Sequence, residues 1–379
     1  MAELTTTTNK KNTSLQALRA LAFMGTFLTH AGFPYVWSGI VVPVFLSMSG
    51  YLMYVNYENR EVKCGLVDNF KFAFNKVKKL YALYFITLMA CLAFNVYTNW
   101  RDGGWCHDYL VLTIKRVLFH VPLLQCWYPD ISMNVALNGP AWYISTSVFM
   151  YFIFPWLFKF MKGKKNWLLI IIGLAYMALE VYICTYFVWA QTTDSGFYNW
   201  FTYTFPVFRV TDFYIGMLAG KIYSDAGKPK LNLVWGTLIE LATVGFCIFT
   251  WHVEYMYFVH WDNLTLAVWE YAYLNWSSEY VLCAAVLVFV FAMNSGIFTK
   301  LINNPVLVAL GNISAEAYLI HWIVLEITND ILEQHQVVLT TATAYVKLVV
   351  MLAIVVGLSI LYRYIKTTIN KRRVMKNAV

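Results

Sequence analysis

Stretches of strongly apolar residues recur along this chain, separated by short polar segments that carry most of its charge. Ten of them, at 15–33, 37–56, 80–99, 140–161, 167–190, 204–223, 233–253, 279–295, 306–327 and 342–363, are about the length an α-helix needs to cross a bilayer. The pattern predicts an all-α, polytopic integral membrane bundle of about ten transmembrane helices. The segment 67–79 alternates Phe70, Phe72 and Phe74 with four lysines, which predicts an interfacial amphipathic helix leading into the third span. Within the polar stretch 100–138, residues 111–124 have the pattern of a short helix lying over the bundle. The stretch 253–278 is rich in Trp, Tyr and Phe, which suits an interfacial belt and, as an alternative, stacking on sugar rings.

Composition agrees. The 379 residues are 60% hydrophobic and only 13% charged, with a mean hydropathy of +0.56, which excludes an ordinary soluble enzyme. The net charge of +8 does not imply nucleic acid, because the basic residues sit in clusters between apolar stretches. Those clusters alternate. If the N-terminus is cytoplasmic, the inner segments hold Lys10, Lys11, Arg60, Lys63, Lys71, Lys76, Lys78, Lys79, Lys159, Lys162, Lys164, Lys165, Lys221, Lys228, Lys230, Lys300 and the tail from Arg363 onward. The outer loops hold only Arg101, Lys115 and Arg116, with Lys347 near an outer end. The positive-inside rule then predicts both termini inside and an even number of spans. No linker divides the chain, so we expect a cytoplasmic N-terminal segment at 1–14, one membrane domain at 15–363 and a basic cytoplasmic tail at 364–379. A bacterial inner or plasma membrane is the expected location. Lys10 and Lys11 before an apolar run also resemble the start of a signal peptide. Thr29-His30-Ala31-Gly32-Phe33-Pro34 is a poor cleavage site, however, and Arg19 interrupts the run, so the segment is expected to be retained.

Ionisable groups inside lipid are costly and read as functional by default. Arg19 and His30 share the first span at a step of eleven, which returns to nearly the same helical face and separates them by ~16 Å along the axis. His30, Arg209 and His321 fall at a similar depth in three spans, which predicts a shared polar cavity, with Asp212 one turn from Arg209 as its partner. Arg19 falls instead near the inner end, level with Lys76, Lys78 and Lys79, where a rim of cations suits an anion. Each has a packing alternative: snorkelling for the cations, an interhelical hydrogen bond for His30 and for His321. The seven cysteines form no CxxC and no metal spacing, and no metal site is expected. Cys91, Cys184, Cys247 and Cys283 read as packing residues, and a Cys106–Cys126 disulfide is open if their loop lies outside.

Several segments, taken in order, resemble the membrane acyltransferase family 3, the integral membrane O-acyltransferases of surface carbohydrates. Arg19-x10-His30, preceded by Leu15-Gln16-Ala17-Leu18, is the strongest match. Phe45-Leu46-Ser47-Met48-Ser49-Gly50-Tyr51-Leu52 is similar to the family's Phe-x-Leu-Ser-Gly-Phe-Leu, and Gly50 suits close helix approach. Lys76-Val77-Lys78-Lys79-Leu80-Tyr81-Ala82-Leu83-Tyr84 resembles Arg-x-x-Arg-Ile-x-Pro-x-Tyr, with lysines for both arginines and Ala82 for the proline. Trp142-Tyr143-Ile144-Ser145 resembles Trp-Ser-Leu-Ser, with Ser147 where the family has Glu. Arg209 with Phe213 and Gly216, and Gly311 through Tyr318 to His321, match the sixth- and ninth-span motifs.

The resemblance implies transfer of an acyl group, by default acetyl from acetyl-CoA, to a hydroxyl of a cell-surface or lipid-linked carbohydrate. His30 is then the general base, with Arg19, Arg209 and His321 as further catalytic candidates. Arg19, Lys76 and Lys79 are candidates for holding the acyl-CoA. Arg209, Ser47 or Tyr318 stay open as oxyanion donors, and Ser47 or Ser49 as a covalent nucleophile. The expected partners are membrane lipid, acyl-CoA and the carbohydrate acceptor, with no nucleic acid. A transporter or flippase is the rival from another class, although no inverted repeat or matched pair of broken helices is evident. An inactive acyltransferase-like sensor or partner subunit is the other.

Overall fold

The computed structural model describes residues 12–33, 38–189, 195–260 and 280–376, and among them every regular element is helical. The long helices are α1 (Thr13–His30), α2 (Ser38–Tyr57), α3 (Leu66–Arg101), α4 (His107–His120), α5 (Trp142–Met161), α6 (Asn166–Trp189), α7 (Val210–Asp225), α8 (Leu233–His260), α9 (Tyr280–Met293), α10 (Pro305–Gln334) and α11 (Thr341–Lys376). Seven of them (α2, α3, α5, α6, α8, α10 and α11) are long and apolar enough to cross a membrane. The other three expected spans fall short for different reasons. Helix α1 carries too much polarity, α7 has only 16 residues, and α9, although apolar, has 14. Most of the aromatic stretch at 253–278 lies outside the described residues, as do the first eleven residues and the last three.

The expected interfacial helix is not a separate element. It forms the first turns of α3, one unbroken helix of 36 residues. No Gly or Pro interrupts 66–101, and Ala82 stands where a proline is usual, so the hydrogen-bond ladder runs through. At 1.5 Å per residue such a helix is ~54 Å long, well beyond a hydrocarbon core of ~30 Å. Its lysine-rich start therefore projects past the apolar layer.

The outermost helices show which surface meets lipid. On α11 the buried residues Met351, Val355 and Ser359 form a single stripe at i, i+4, i+8, while Val346, Val349, Val350 and Ile354 stay exposed. Apolar exposure on this scale suits hydrocarbon rather than water. Carboxylates on such helices are satisfied internally. Glu180 of α6 accepts from the Thr211 hydroxyl at 2.5 Å. Glu240 of α8 accepts from the backbone N–H groups of Gly296 and Phe298 at 3.0 and 2.8 Å, capping the short helix Ile297–Ile302.

Two seams of close helix packing hold the interior. At the first, α2 lies against α7, where a Cβ at Gly216 would overlap the Ser47 backbone and one at Gly50 would overlap the Phe213 carbonyl. At the second, α1 lies against α10, where a Cβ at Gly311 would overlap the Gln16 carbonyl.

The connection from α4 to α5 does not lie over the bundle. The expected helix appears slightly earlier, as α4, and the chain beyond it turns inward. His120, Gln125, Cys126, Asn134 and Asn138 are fully buried. Side chains of the bundle take up the exposed backbone. Tyr84 donates to the His120 carbonyl at 2.5 Å, Tyr81 to that of Val121 at 2.8 Å, and Ser145 to that of Leu123 at 2.7 Å. Asn138 donates to Thr87 Oγ1 and to the Leu319 carbonyl, both at 3.0 Å, and so ties the loop to α3 and α10. Irregular backbone at membrane depth is tolerated where protein supplies its partners in this way. Cys106 and Cys126 are not joined. Cys106 is exposed, while the buried Cys126 thiol donates to the Trp142 carbonyl at 3.3 Å.

Candidate active site

The seam between α1 and α10 ends in two imidazoles. His30, in the last turn of α1, lies with Nδ1 2.8 Å from Nε2 of His321, the two rings nearly coplanar at 5°. His321 is fully buried, with Phe23 and Phe27 of α1 packed edge-on against it. Its Nδ1 is 2.7 Å from the Tyr318 carbonyl one turn earlier.

These partners decide where the protons sit. A carbonyl oxygen only accepts, so His321 Nδ1 carries hydrogen and, in a neutral ring, Nε2 is a bare acceptor. The proton between the rings therefore belongs to His30 Nδ1. That leaves the lone pair of His30 on Nε2, the chemistry required of a base.

His30 borders a polar cavity of about 590 Å³ between the ends of α1, α3 and α10. Its polar wall includes Asn95, Thr98, Arg101 and Asp102 from the end of α3 and, from α10, Trp322, Glu326, Asn329, Asp330 and Glu333. The Trp322 ring stands edge-on to His30 at 5.3 Å. Arg101 forms a two-pronged pair with Asp330, each N···O distance 2.8 Å, and a second pair with Asp102. Asp102, beyond the helix end, is held below the usual carboxylate range by its hydrogen bond to Arg101.

Arg19 lies elsewhere. It is half-buried and borders a second, smaller cavity of about 210 Å³ with Ser49, Tyr143, Tyr151, Ser314 and Tyr318. Tyr318 belongs to both ends. Its ring lines the Arg19 cavity, its carbonyl holds His321, and its hydroxyl donates to the Pro140 carbonyl at 2.9 Å.

The structure thus joins His30 to His321, and groups Arg19 with Ser49 and Tyr318. It does not join Arg209 to the histidines. Arg209 lines neither cavity and pairs with Asp212 at 3.0 Å, both side chains fully buried. The expected pairing is present, but it lies beside the α2–α7 seam. Ser47 is also committed there, donating to the Asp212 carbonyl at 3.0 Å. Gly50 seats that same seam. Ser145 secures the inward loop, and Trp142 packs on Tyr203 at 4.7 Å. Lys76 and Lys79 line neither cavity. The Lys76 ammonium sits over Tyr57 at 4.7 Å, whereas Lys79 is exposed, its carbonyl accepting from Lys366 at 2.5 Å.

Sequence reasoning missed Trp322, Glu326 and Asp330. Their spacing, i, i+4, i+8, marks one face of α10 that runs on from His321, and Glu326 sits inside the expected ninth span.

A family model described as an acyltransferase domain matches residues 12–363. The chain belongs to this acyltransferase family. The match takes in all ten expected spans, both cavities and both histidines, so this acyltransferase is a multi-pass membrane protein. No curated protein and no solved structure matches it.

Proposed function

We propose that this membrane acyltransferase moves an acyl group, acetyl from acetyl-CoA by default, to a hydroxyl of a cell-surface or lipid-linked carbohydrate, with His30 as general base. The observation that carries the reading is the chain His30–His321–Tyr318, which leaves His30 Nε2 basic at the edge of a cavity. A sugar hydroxyl is too weak an acid to ionise beforehand, so its proton moves to Nε2 as the oxygen attacks the thioester carbonyl. The C–O bond forms, the tetrahedral intermediate collapses, the C–S bond breaks, and the departing CoA sulfur takes the proton from the imidazolium. Throughout, His321 keeps the His30 ring in the required tautomer.

Arg19 serves the donor, because its cavity lies on the other side of Tyr318 from the base. The lysines at the start of α3 and on α11 supply a basic rim suited to the CoA phosphates. In this reading α1, α7 and α9 also cross the membrane, helped by neighbours and flanking segments, giving ten spans with both termini cytoplasmic. The domain limits expected above, with a short N-terminal segment and a basic tail, belong to the same reading, as does a bacterial cell membrane.

The test is thiol release from acetyl-CoA by purified protein, alongside mass spectrometry of surface glycans. His30→Ala should abolish both with protein level unchanged. Intact acetylation in that variant ends the proposal.

A further inference from the structure

The wall of the His30 cavity is strongly one-sided in charge. Four carboxylates border it, Asp102, Glu326, Asp330 and Glu333, against a single cation, Arg101. That cation is spent. Its guanidinium directs N–H groups to both oxygens of Asp330 and both of Asp102, at 2.7–3.0 Å. Lys347 of α11 approaches from outside, donating to Asn329 Oδ1 at 2.6 Å, and does not line the cavity. The Glu326 carboxylate lies against the indole N–H of Trp322, whose ring touches the base. An uncharged sugar hydroxyl can donate to such carboxylates, whereas an incoming carboxylate can only accept and confronts Glu326 and Glu333.

We propose that the acceptor received beside His30 is a sugar carrying no negative charge, neutral or amine-bearing, and that Glu326 and Glu333 exclude acidic sugars. This rests on the reading of His30 as the base at the acceptor site. Like charges in a partly desolvated cavity repel strongly enough to weaken binding roughly 30-fold at the effective dielectric typical of such sites.

The test uses full-length protein in nanodiscs of phosphatidylcholine, without donor. Binding of methyl glucoside, methyl glucosaminide and methyl glucuronide is measured by saturation-transfer NMR, and each is then offered with acetyl-CoA in a thiol-release assay. The glucoside and glucosaminide should bind, and the glucuronide about 30-fold more weakly. Glu333→Gln, at an exposed position that leaves folding intact, should narrow that gap several-fold, and Glu326→Gln should narrow it further. Glucuronide binding as tight as glucoside, no binding by any of the three, or an unchanged gap in both variants overturns the proposal. Charge selectivity in binding with no thiol release from any sugar upholds the cavity's preference and overturns the transfer chemistry instead.

Discussion

The two glycine-seated seams are built alike and end differently. Both bring backbones so close that a single Cβ would collide, and both carry polar side chains at the crossing. Between α2 and α7 those side chains are consumed. Ser47 donates to Asp212, and Arg209 pairs with the Asp212 carboxylate, all without exposure. Between α1 and α10 the hydrogen-bond chain runs from Tyr318 through His321 and stops at His30, which borders the polar cavity. A costly group that finds its partner within the seam holds helices together. One whose last lone pair is left over is free to do chemistry. Depth in the membrane does not separate the two kinds, but the end of the hydrogen-bond chain does.

The largest expected effect tests what the seams share. Gly216→Val and Gly311→Val should each leave no folded protein after detergent extraction, because backbone rather than a yielding side chain meets the new methyls. A monodisperse Gly311→Val protein would show that the α1–α10 seam can open to admit a side chain.

The next effect splits the seams by activity. His321→Ala should lower kcat on the order of 100-fold with little change in KM, within the range of a general base left without its orienting partner. His321→Gln should restore part of the loss, since its amide oxygen can accept from His30 Nδ1. Equal loss in both variants, accompanied by a fallen Tm, would make His321 a packing residue.

Smaller effects belong to the α2–α7 seam and should appear in stability alone. Asp212→Ala leaves the Arg209 charge buried without its carboxylate and should cost about 3–5 kcal/mol, read as a lower Tm. Ser47→Ala removes one interhelical hydrogen bond and should cost only ~0.6–1 kcal/mol. A Ser47→Ala protein with normal Tm and lost turnover would move the serine from the seam to the chemistry.

The inward loop responds to pH with a defined sign. Burial holds the His120 imidazole below its ordinary value of 6.5. The loop's stability is therefore complete above that value and is lost as pH falls toward the lowered one. Hydrogen-exchange protection at 120–138, taken relative to the intrinsic rate at each pH, should fall as pH drops from neutral. His120→Gln should flatten the dependence.

Much of the bundle was legible because lipid demands long apolar stretches, and ten such stretches mark where ten helices form. Its refinements were not. The interfacial helix merges into α3 because a break requires a Gly or Pro that this segment lacks. The inward turn beyond α4 was not legible because Gln125, Asn134 and Asn138 look solvated until Tyr81 and Tyr84 are seen to donate to the loop's carbonyls and Thr87 to accept from the Asn138 side chain. Within the site, His30 and His321 could be matched by depth, since helical rise converts residue number to height. Arg209 passed the same test and lies elsewhere, because height says nothing about azimuth. Asp330 escaped because the expected span ended at 327, and Trp322 and Glu326, although inside it, were not followed along the face that runs on from His321.

One consequence of the inward loop concerns the order in which this protein comes into being. Asn138 bonds both Thr87, already made when it is synthesised, and the Leu319 carbonyl, made 181 residues later. Until α10 emerges from translation, the loop lacks its anchor and His30 lacks the ring that sets its proton. The first helix and the tenth therefore mature together, and a ribosome that stops before α10 releases a chain whose His30 has no second ring to fix its proton.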